Sequence, residues 1–496
     1  MELATVVGLL PGCKTNQPPR GEINGLAYNS KTTKPGELFL CLRGTHLDGH
    51  VYAPEAVAQG AAGLVVERFL PLDVFQIQVA DSRKALLAIG REFWGRPADR
   101  LGLVGVTGTN GKTTTTFYIR SVLQGLGRPV GLLGTVFNQV AGDPEPSTLT
   151  TPESLDLWQF LARAARERCD WVVMEVSSHA LALNRVDPAD FDIAVVTNIT
   201  RDHFDYHLTY EHYWESKARM VREMQSRGKA GRPRAVILNA DDPQVLKLAR
   251  ETDVPVVTFS LREPADVRAT EVEATAAGSR FRLHLPGVTP TPVHLPLPGI
   301  FNVANALAAA AAGWVAGVEL GALVRGLEDC RHVPGRAEII DEGQDFGVIV
   351  DFAHNPDALA KVVTLRSDRP GGRTILVFGA EGGKDKGKRP EMGAAARGAD
   401  YVIITSDNML KEEPAEVARQ IEAGVGDWPH EVILDRREAI GRALTLARSG
   451  DLVIIAGKGH EQTWVYGGER IAFDDRAVAR ETLRGLAART EITPGG

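Results

Sequence analysis

Val104-Gly105-Val106-Thr107-Gly108-Thr109-Asn110-Gly111-Lys112-Thr113-Thr114 decides how this chain folds. The apolar residues 101–104 lead into it as a strand, and residues 113–123 read as a helix behind it. Strand, glycine loop and helix together make a phosphate cradle. The glycines let backbone N–H groups come close to oxygen, and the helix start adds partial positive charge. In such a cradle Lys112 reaches the terminal phosphates and the Thr113 hydroxyl meets Mg²⁺. The usual G-x-x-x-x-G-K-[ST] pattern has glycine where Val106 stands, with Gly105 and Gly108 on either side. That displacement speaks against an ordinary GTPase or kinase. Gly108, Thr109, Asn110, Gly111, Lys112, Thr113 and Thr114 are the candidate nucleotide-binding residues, and a nucleoside triphosphate is the expected ligand.

At 496 residues the chain is too long for one core, and about three domains is the length expectation. Hydrophobic content of 44% and charged content of 24% are ordinary for a soluble globular protein. The formal net charge is −7, with both signs mixed along the chain. That balance gives no general affinity for nucleic acid or anionic lipid, so neither is expected as a partner. Cys13, Cys41, Cys169 and Cys330 form no C-x-x-C pair, which excludes a typical zinc or redox motif and suits a reducing cytoplasm. No apolar run reaches the roughly 20 residues of a membrane span. Residues 1–10 carry Glu2 and no basic flank, and read as a short helix rather than a signal peptide.

Outward from the phosphate loop, the pattern divides into three α/β segments. Residues 1–98 mix strands at 37–42, 63–67 and 75–79 with helices at 53–59 and 82–94, ending at Gly95-Arg96-Pro97. Residues 99–333 alternate strands (171–175, 193–198, 235–239) with helices, which predicts a mostly parallel sheet. Within them, residues 267–297 read as an antiparallel excursion, and Ala308 to Ala312 as helix. After His332-Val333-Pro334-Gly335, residues 334–496 repeat the alternation, with strands at 346–351, 374–378, 401–405 and 452–456. This predicts a doubly wound third domain, whose sites sit at the carboxyl ends of strands.

Special residues gather on the loops after those strands. Thr150-Thr151-Pro152, Glu175-Val176-Ser177-Ser178-His179 and Asn198-Ile199-Thr200-Arg201-Asp202-His203 come first, followed by Asp205, His207 and Lys217. Oxygen-rich side chains around a phosphate loop suit Mg²⁺. Taken singly, Glu175 or His203 reads as a structural hydrogen-bonding residue, and a helical lysine such as Lys217 as a solvated one.

With these motifs stand Gly299-Ile300-Phe301-Asn302-Val303-Ala304-Asn305, Gly335-Arg336, Asp351-Phe352-Ala353-His354-Asn355-Pro356-Asp357 and Ala456-Gly457-Lys458-Gly459-His460-Glu461. The ordered set, spanning residues 23–485, resembles the Mur ligases of peptidoglycan synthesis, and within them the enzymes that add a diamino acid as third residue. The resemblance implies an N-terminal UDP-binding domain, a central ATP-binding domain and a C-terminal amino-acid-binding domain. It also implies an ATP- and Mg²⁺-dependent, monomeric, cytoplasmic ligase acting on a UDP-N-acetylmuramoyl dipeptide and a free amino acid. By this likeness Ser30 and the Gly44–Gly49 segment hold UDP, and Thr150, Thr151, Ser177 and Arg185 hold the uridylyl-muramoyl dipeptide. Leu183 stands where a glutamine is sometimes seen. Thr113, Glu175 and His203 would be Mg²⁺ ligands, joined by Lys217 once carbamylated. Asn302, Asn305, Arg336 and Asp351 would contact nucleotide, with Lys112, Glu175, His203, Lys217 and Arg336 forming the catalytic set.

The implied reaction transfers the ATP γ-phosphoryl to the D-glutamyl γ-carboxylate, and the incoming amine attacks the acyl phosphate. Arg389, Asp407, Asn408, Gly457 and Glu461 match positions that hold the amino acid. Diaminopimelate-adding members carry D-N-P-R there, whereas this chain has Asp407-Asn408-Met409-Leu410. Glu381-Gly382-Gly383-Lys384 likewise departs from G-G-D-R. Lys411 serving as a point charge, Glu412 or Glu413 meeting a side-chain ammonium of lysine or ornithine, and a different amine remain open beside meso-diaminopimelate, the commonest in the family. A folylpolyglutamate synthase, a phosphate-loop NTPase and a catalytically silent binding protein fit the motif set less well.

Overall fold

The strand Gly102–Thr107 is buried along its whole length and stands inside a nine-stranded sheet. The computed structural model describes residues 1–44, 47–224, 229, 231–365, 371–410, 412–466 and 469–492. Seven strands of this sheet, from Val130–Leu133 across to Val267–Thr275, pair in parallel. Alternate side chains along the central strand supply two cores: Val104 and Val106 on one face, and Leu103, with Leu101 just before the strand, on the other. The first core is roofed by the helices Lys112–Leu123, Ile300–Val315 and Leu320–Asp329, the second by Ser154–Arg166 and Tyr210–Arg222. The expected antiparallel excursion is present as Val267–Thr275, Gly278–His284 and Thr291–Leu295. Its first strand also continues the parallel sheet, pairing with Val256–Ser260.

The alanine run expected to be helical lies in Ile300–Val315, where small side chains let it settle closely on Lys112–Leu123. Gly326 of the neighbouring helix is closer still: a Cβ there would fall 2.6 Å from Val122 Cα.

A five-stranded sheet occupies the N-terminal segment and a six-stranded sheet the C-terminal one, each mostly parallel. Short strands without a periodic signal, such as Glu338–Ile339 and His430–Val432, complete the edges of the latter. Register brings strand ends together. Glu175 lies opposite Val106 and Val196 opposite Thr107, while in the C-terminal sheet Asp351 lies opposite Ala456. The two carboxyl edges meet across a seam. There Asn110 Nδ2 donates to Asp357 at 2.6 Å, Asn355 Nδ2 donates to Asp202 at 3.1 Å, and Arg201 pairs with Glu391 at 2.6 Å. Among the described residues no helix is long and apolar enough to cross a membrane.

Candidate active site

Backbone geometry dictates the phosphate loop. Gly108 and Gly111 have φ of 146° and 87°, and Cβ atoms there would fall 1.9 Å from Thr197 Oγ1 and 2.4 Å from Asn305 Oδ1. Only glycine fits. The loop is pinned by Thr109 N–H donating to the Asn198 carbonyl at 2.7 Å and Asn110 N–H donating to Asn198 Oδ1 at 3.0 Å. Lys112 folds back over it, donating to the carbonyls of Gly108 and Thr109 at 3.0 and 2.9 Å. Burial lowers its pKa.

Beneath the loop lies Glu175, 1% exposed. Its carboxylate accepts from Thr113 Oγ1 at 3.0 Å and from both the N–H and hydroxyl of Thr135, at 2.7 and 3.0 Å. All these donors are neutral, and among the described residues no cation comes within ion-pair distance. Lys112 and Arg336 act on it only from beyond ion-pair distance, and a buried carboxylate so bonded is suited to a bound cation. Arg336 reaches across the seam to donate to Thr113 Oγ1 at 3.1 Å, its guanidinium stacked 4.4 Å from the Phe352 ring.

His203 has a left-handed φ of 57°, and burial holds its imidazole neutral, down to about 3. For Asp202 beside it, burial works upward, but His203, His354 and Lys388 outweigh it and keep the carboxylate ionised. Lys217 departs from the solvated reading: it is 1% exposed and lies 4.7 Å from the Tyr213 ring, with its amine donating to the Gly108 carbonyl at 2.7 Å. Burial, reinforced by Lys112, pushes its pKa well below the ordinary lysine value. Among the described residues no three His, Cys, Asp or Glu side chains gather as a ready metal cage.

Two cavities share this seam. One, of about 280 Å³, is lined by Thr109 to Thr114, Thr150, Glu175, His203 and Arg336 from the phosphate side. Asp407, Asn408, Gly457 and Glu461 line it from the C-terminal sheet. The other, of about 680 Å³, takes in Asn302, Asn305 and Asp351 beside Asn110, Gly111 and Thr114. Asn305 Nδ2 donates to Asn302 Oδ1 at 3.1 Å, and Asp351 accepts the Ala337 N–H at 2.7 Å.

Other sequence-derived candidates lie outside both cavities. Gly108 opens the loop, and Lys217 lies under it, bonded to the Gly108 carbonyl. Thr151 donates to the Glu175 carbonyl at 2.9 Å and Ser177 caps a short helix through Ala180 N–H. Arg185 pairs with Glu153 at 2.9 Å. Ser30, 5% exposed, donates to Glu55 at 2.6 Å in the N-terminal segment.

Arg389 is fully buried and forks onto Glu412 at 2.8 and 3.2 Å, beside the cavity-lining Glu381, whose carbonyl it also reaches at 3.4 Å. The same contact commits Glu412, which also accepts the Gly383 N–H. Oppositely charged groups a turn and a loop apart have satisfied each other. Thr45, His46 and Lys411 lie outside the described residues. Sequence reasoning assigned no role to Thr135, Asp202, Asn355 or Glu381, of which Asp202, Asn355 and Glu381 stand in recognisable motifs and Thr135 in none.

A phosphate loop opening into a cavity shared with a second α/β sheet suits an enzyme that uses a nucleoside triphosphate on a substrate held between the two. The family models for the Mur ligase family catalytic domain, the Mur ligase middle domain and the glutamate ligase domain match residues 22–92, 106–313 and 335–459. A UDP-N-acetylmuramoyl-L-alanyl-D-glutamate–2,6-diaminopimelate ligase of Geobacillus kaustophilus is 44% identical over 98% of this chain and 99% of its own length. One of Solibacter usitatus is 42% identical, covering 94% of each. A solved structure of such a ligase superposes with a TM-score of 0.67 at 31% identity, covering 98% of this chain and 99% of its own. MurF of Thermotoga maritima in complex with ADP shares the fold, at a TM-score of 0.64 and 21% identity over 94% of this chain and 97% of its own. The chain belongs to the Mur ligase family. It is an ATP-dependent carbon–nitrogen ligase of peptidoglycan synthesis, with the three-domain α/β architecture of that family.

Proposed function

We propose that this chain adds a diamino acid to UDP-N-acetylmuramoyl-L-alanyl-D-glutamate through an acyl phosphate. One observation carries the reading: the phosphate loop and the Asp407-Asn408 and Gly457–Glu461 loops open into the same cavity. Lys112 and Arg336 neutralise the phosphate oxygens as the γ-phosphoryl passes to the glutamyl carboxylate, and positioning supplies most of the rate. The amine then attacks the acyl carbon, phosphate leaves, and the attacking nitrogen gives up its proton. Closure of the seam by Asn110, Asn355 and Asp357 keeps water from the activated acid.

Thr113, Glu175 and His203 would hold Mg²⁺, and the buried Glu175 carboxylate, bonded only to neutral donors, and the neutral imidazole of His203 fit that use. Bound there, Mg²⁺ supplies positive charge for the phosphates. Lys217 as an amine does not fit a metal site. Its suppressed charge makes it a competent nucleophile toward carbon dioxide, and the carbamate would fit.

Ser30, Thr150, Thr151, Ser177 and Arg185 hold the uridylyl-muramoyl dipeptide, and Asn302, Asn305 and Asp351 hold the nucleotide. Residues 1–98, 99–333 and 334–496 form the three domains of a cytoplasmic monomer. The names of its relatives make 2,6-diaminopimelate the first amino acid to assay. The test is phosphate release from ATP that requires both the UDP-dipeptide and a diamino acid, with the tripeptide product seen by mass. Release without the dipeptide, or substantial ligation by Lys112→Ala, would remove the assignment.

A further inference from the structure

We infer that Trp464 is a positioning residue for the ligation: its indole N–H holds the Asp407-Asn408-Met409 loop where the incoming amino acid is received. This deepens the reading above and rests on it.

The loop has no regular structure of its own. It follows the strand Tyr401–Ile404, and residues 405–410 belong to neither helix nor strand. Asp407 and Asn408 nonetheless form a wall of the cavity into which the phosphate loop opens. Much of what fixes them comes from residues 458–465. The Asp407 carbonyl accepts from Trp464 Nε1 at 2.8 Å, its one partner among the described residues. The Asn408 amide is held on both sides. Its oxygen accepts from Lys458 and from the Val465 N–H, each at 3.0 Å, and its nitrogen donates to Glu461 at 2.9 Å. The Met409 N–H donates to the Val465 carbonyl at 2.6 Å, while the Met409 side chain is buried in the core of the C-terminal sheet.

Trp464 and Val465 belong to a hairpin, Thr463–Tyr466 with Glu469–Ala472, which among the described residues pairs with no strand of the six-stranded sheet. A two-stranded hairpin is marginal alone. This one is seated by its tryptophan, whose ring lies 5.5 Å from that of Phe473 and 5.1 Å from that of Tyr466. Packing sets the direction of the indole, and the N–H carries that direction to a backbone atom of the cavity wall. Packing alone would be met by phenylalanine; reaching the loop carbonyl needs the N–H. A reacting group misplaced by about 1 Å loses on the order of a hundredfold in rate. The bonds to Asn408 persist without the indole, so the loss at this position is smaller.

The test is Trp464→Phe in the full-length enzyme with ATP and UDP-N-acetylmuramoyl-L-Ala-D-Glu, with meso-diaminopimelate and L-lysine as the amines. For whichever amine the wild type ligates, kcat/KM should fall about tenfold, chiefly through KM. The half-reaction without amine is read as scrambling of the βγ-bridge oxygen of labelled ATP when the dipeptide is present. It should keep its wild-type rate, and KM for ATP should hold. Trp464→Gln restores a side-chain N–H without the ring and should recover part of the amine KM; no recovery would count against the N–H as the carrier. An amine KM unchanged in Trp464→Phe overturns the inference and leaves the ligase reading intact. Equal losses in scrambling and in amine KM overturn it as well, since they mark a general fault of the fold. Wild-type enzyme silent with both amines would remove the ligase reading itself, and the inference with it.

Discussion

Asp475→Asn should unfold the C-terminal sheet more readily than any surface change. Asp475 and Arg436 both have fully buried side chains and are joined by two bonds, Nε at 2.8 Å and Nη2 at 2.7 Å. Asparagine retains one acceptor oxygen but removes the charge, leaving a guanidinium uncompensated in the core. Breaking a buried pair in this way costs about 3–5 kcal/mol. The guanidinium keeps two carbonyl acceptors, Ala456 at 3.0 Å and Ser406 at 3.3 Å, which argues for the lower end, about 3 kcal/mol. That is on the order of a hundredfold in the unfolding equilibrium. Urea unfolding followed by far-UV circular dichroism measures it. Those carbonyls precede Asp407 and Gly457, so KM for the amino acid should rise while KM for ATP holds. A loss below about 1 kcal/mol would refute the reasoning. Replacing both partners with apolar residues, Arg436→Met with Asp475→Leu, should recover most of the loss.

Three further outcomes follow from the same geometry. Lys217→Ala should lose nearly all turnover and regain part of it with a short carboxylate additive; normal turnover without the additive would end the carbamate proposal. Burial holds His207 and His354 down to about 3 and about 4, so the folded state refuses protons that the unfolded chain accepts below imidazole's ordinary range. Their stabilisation is therefore whole above about pH 6.5 and falls as pH drops toward 4, by about 1.4 kcal/mol per pH unit for each histidine; a thermal midpoint flat from pH 6.5 to 4 would contradict this. Gly326→Ala drives a methyl against the Val122 backbone and should cost about 1–3 kcal/mol, read as a lowered thermal midpoint.

The phosphate loop was legible because its demands are local: glycines where φ is positive, a lysine and a threonine at the helix start. The strands at 171–175, 235–239, 374–378 and 452–456 were legible because both faces are buried, so each reads as an unbroken apolar run. Lys217 was not, since its helix is amphipathic and its partner, the Gly108 carbonyl, is 109 residues away. Thr135 was invisible for the same reason: a hydroxyl meeting a carboxylate forty residues on leaves no spacing to read. Arg389 looked available because nothing in a linear pattern says that Glu412 has already taken it.

The stitches across the seam have a consequence for how such chains can be recombined. Asn110 belongs to the phosphate loop, yet its side chain is spent on Asn355 and Asp357 of another sheet, as Arg201 is on Glu391. A foreign third domain grafted after residue 334 would meet these half-bonds with no counterpart. Asn355, Asp357 and Glu391 therefore have to travel as a set with any transplanted domain, or be rebuilt on it, before a chimera can close.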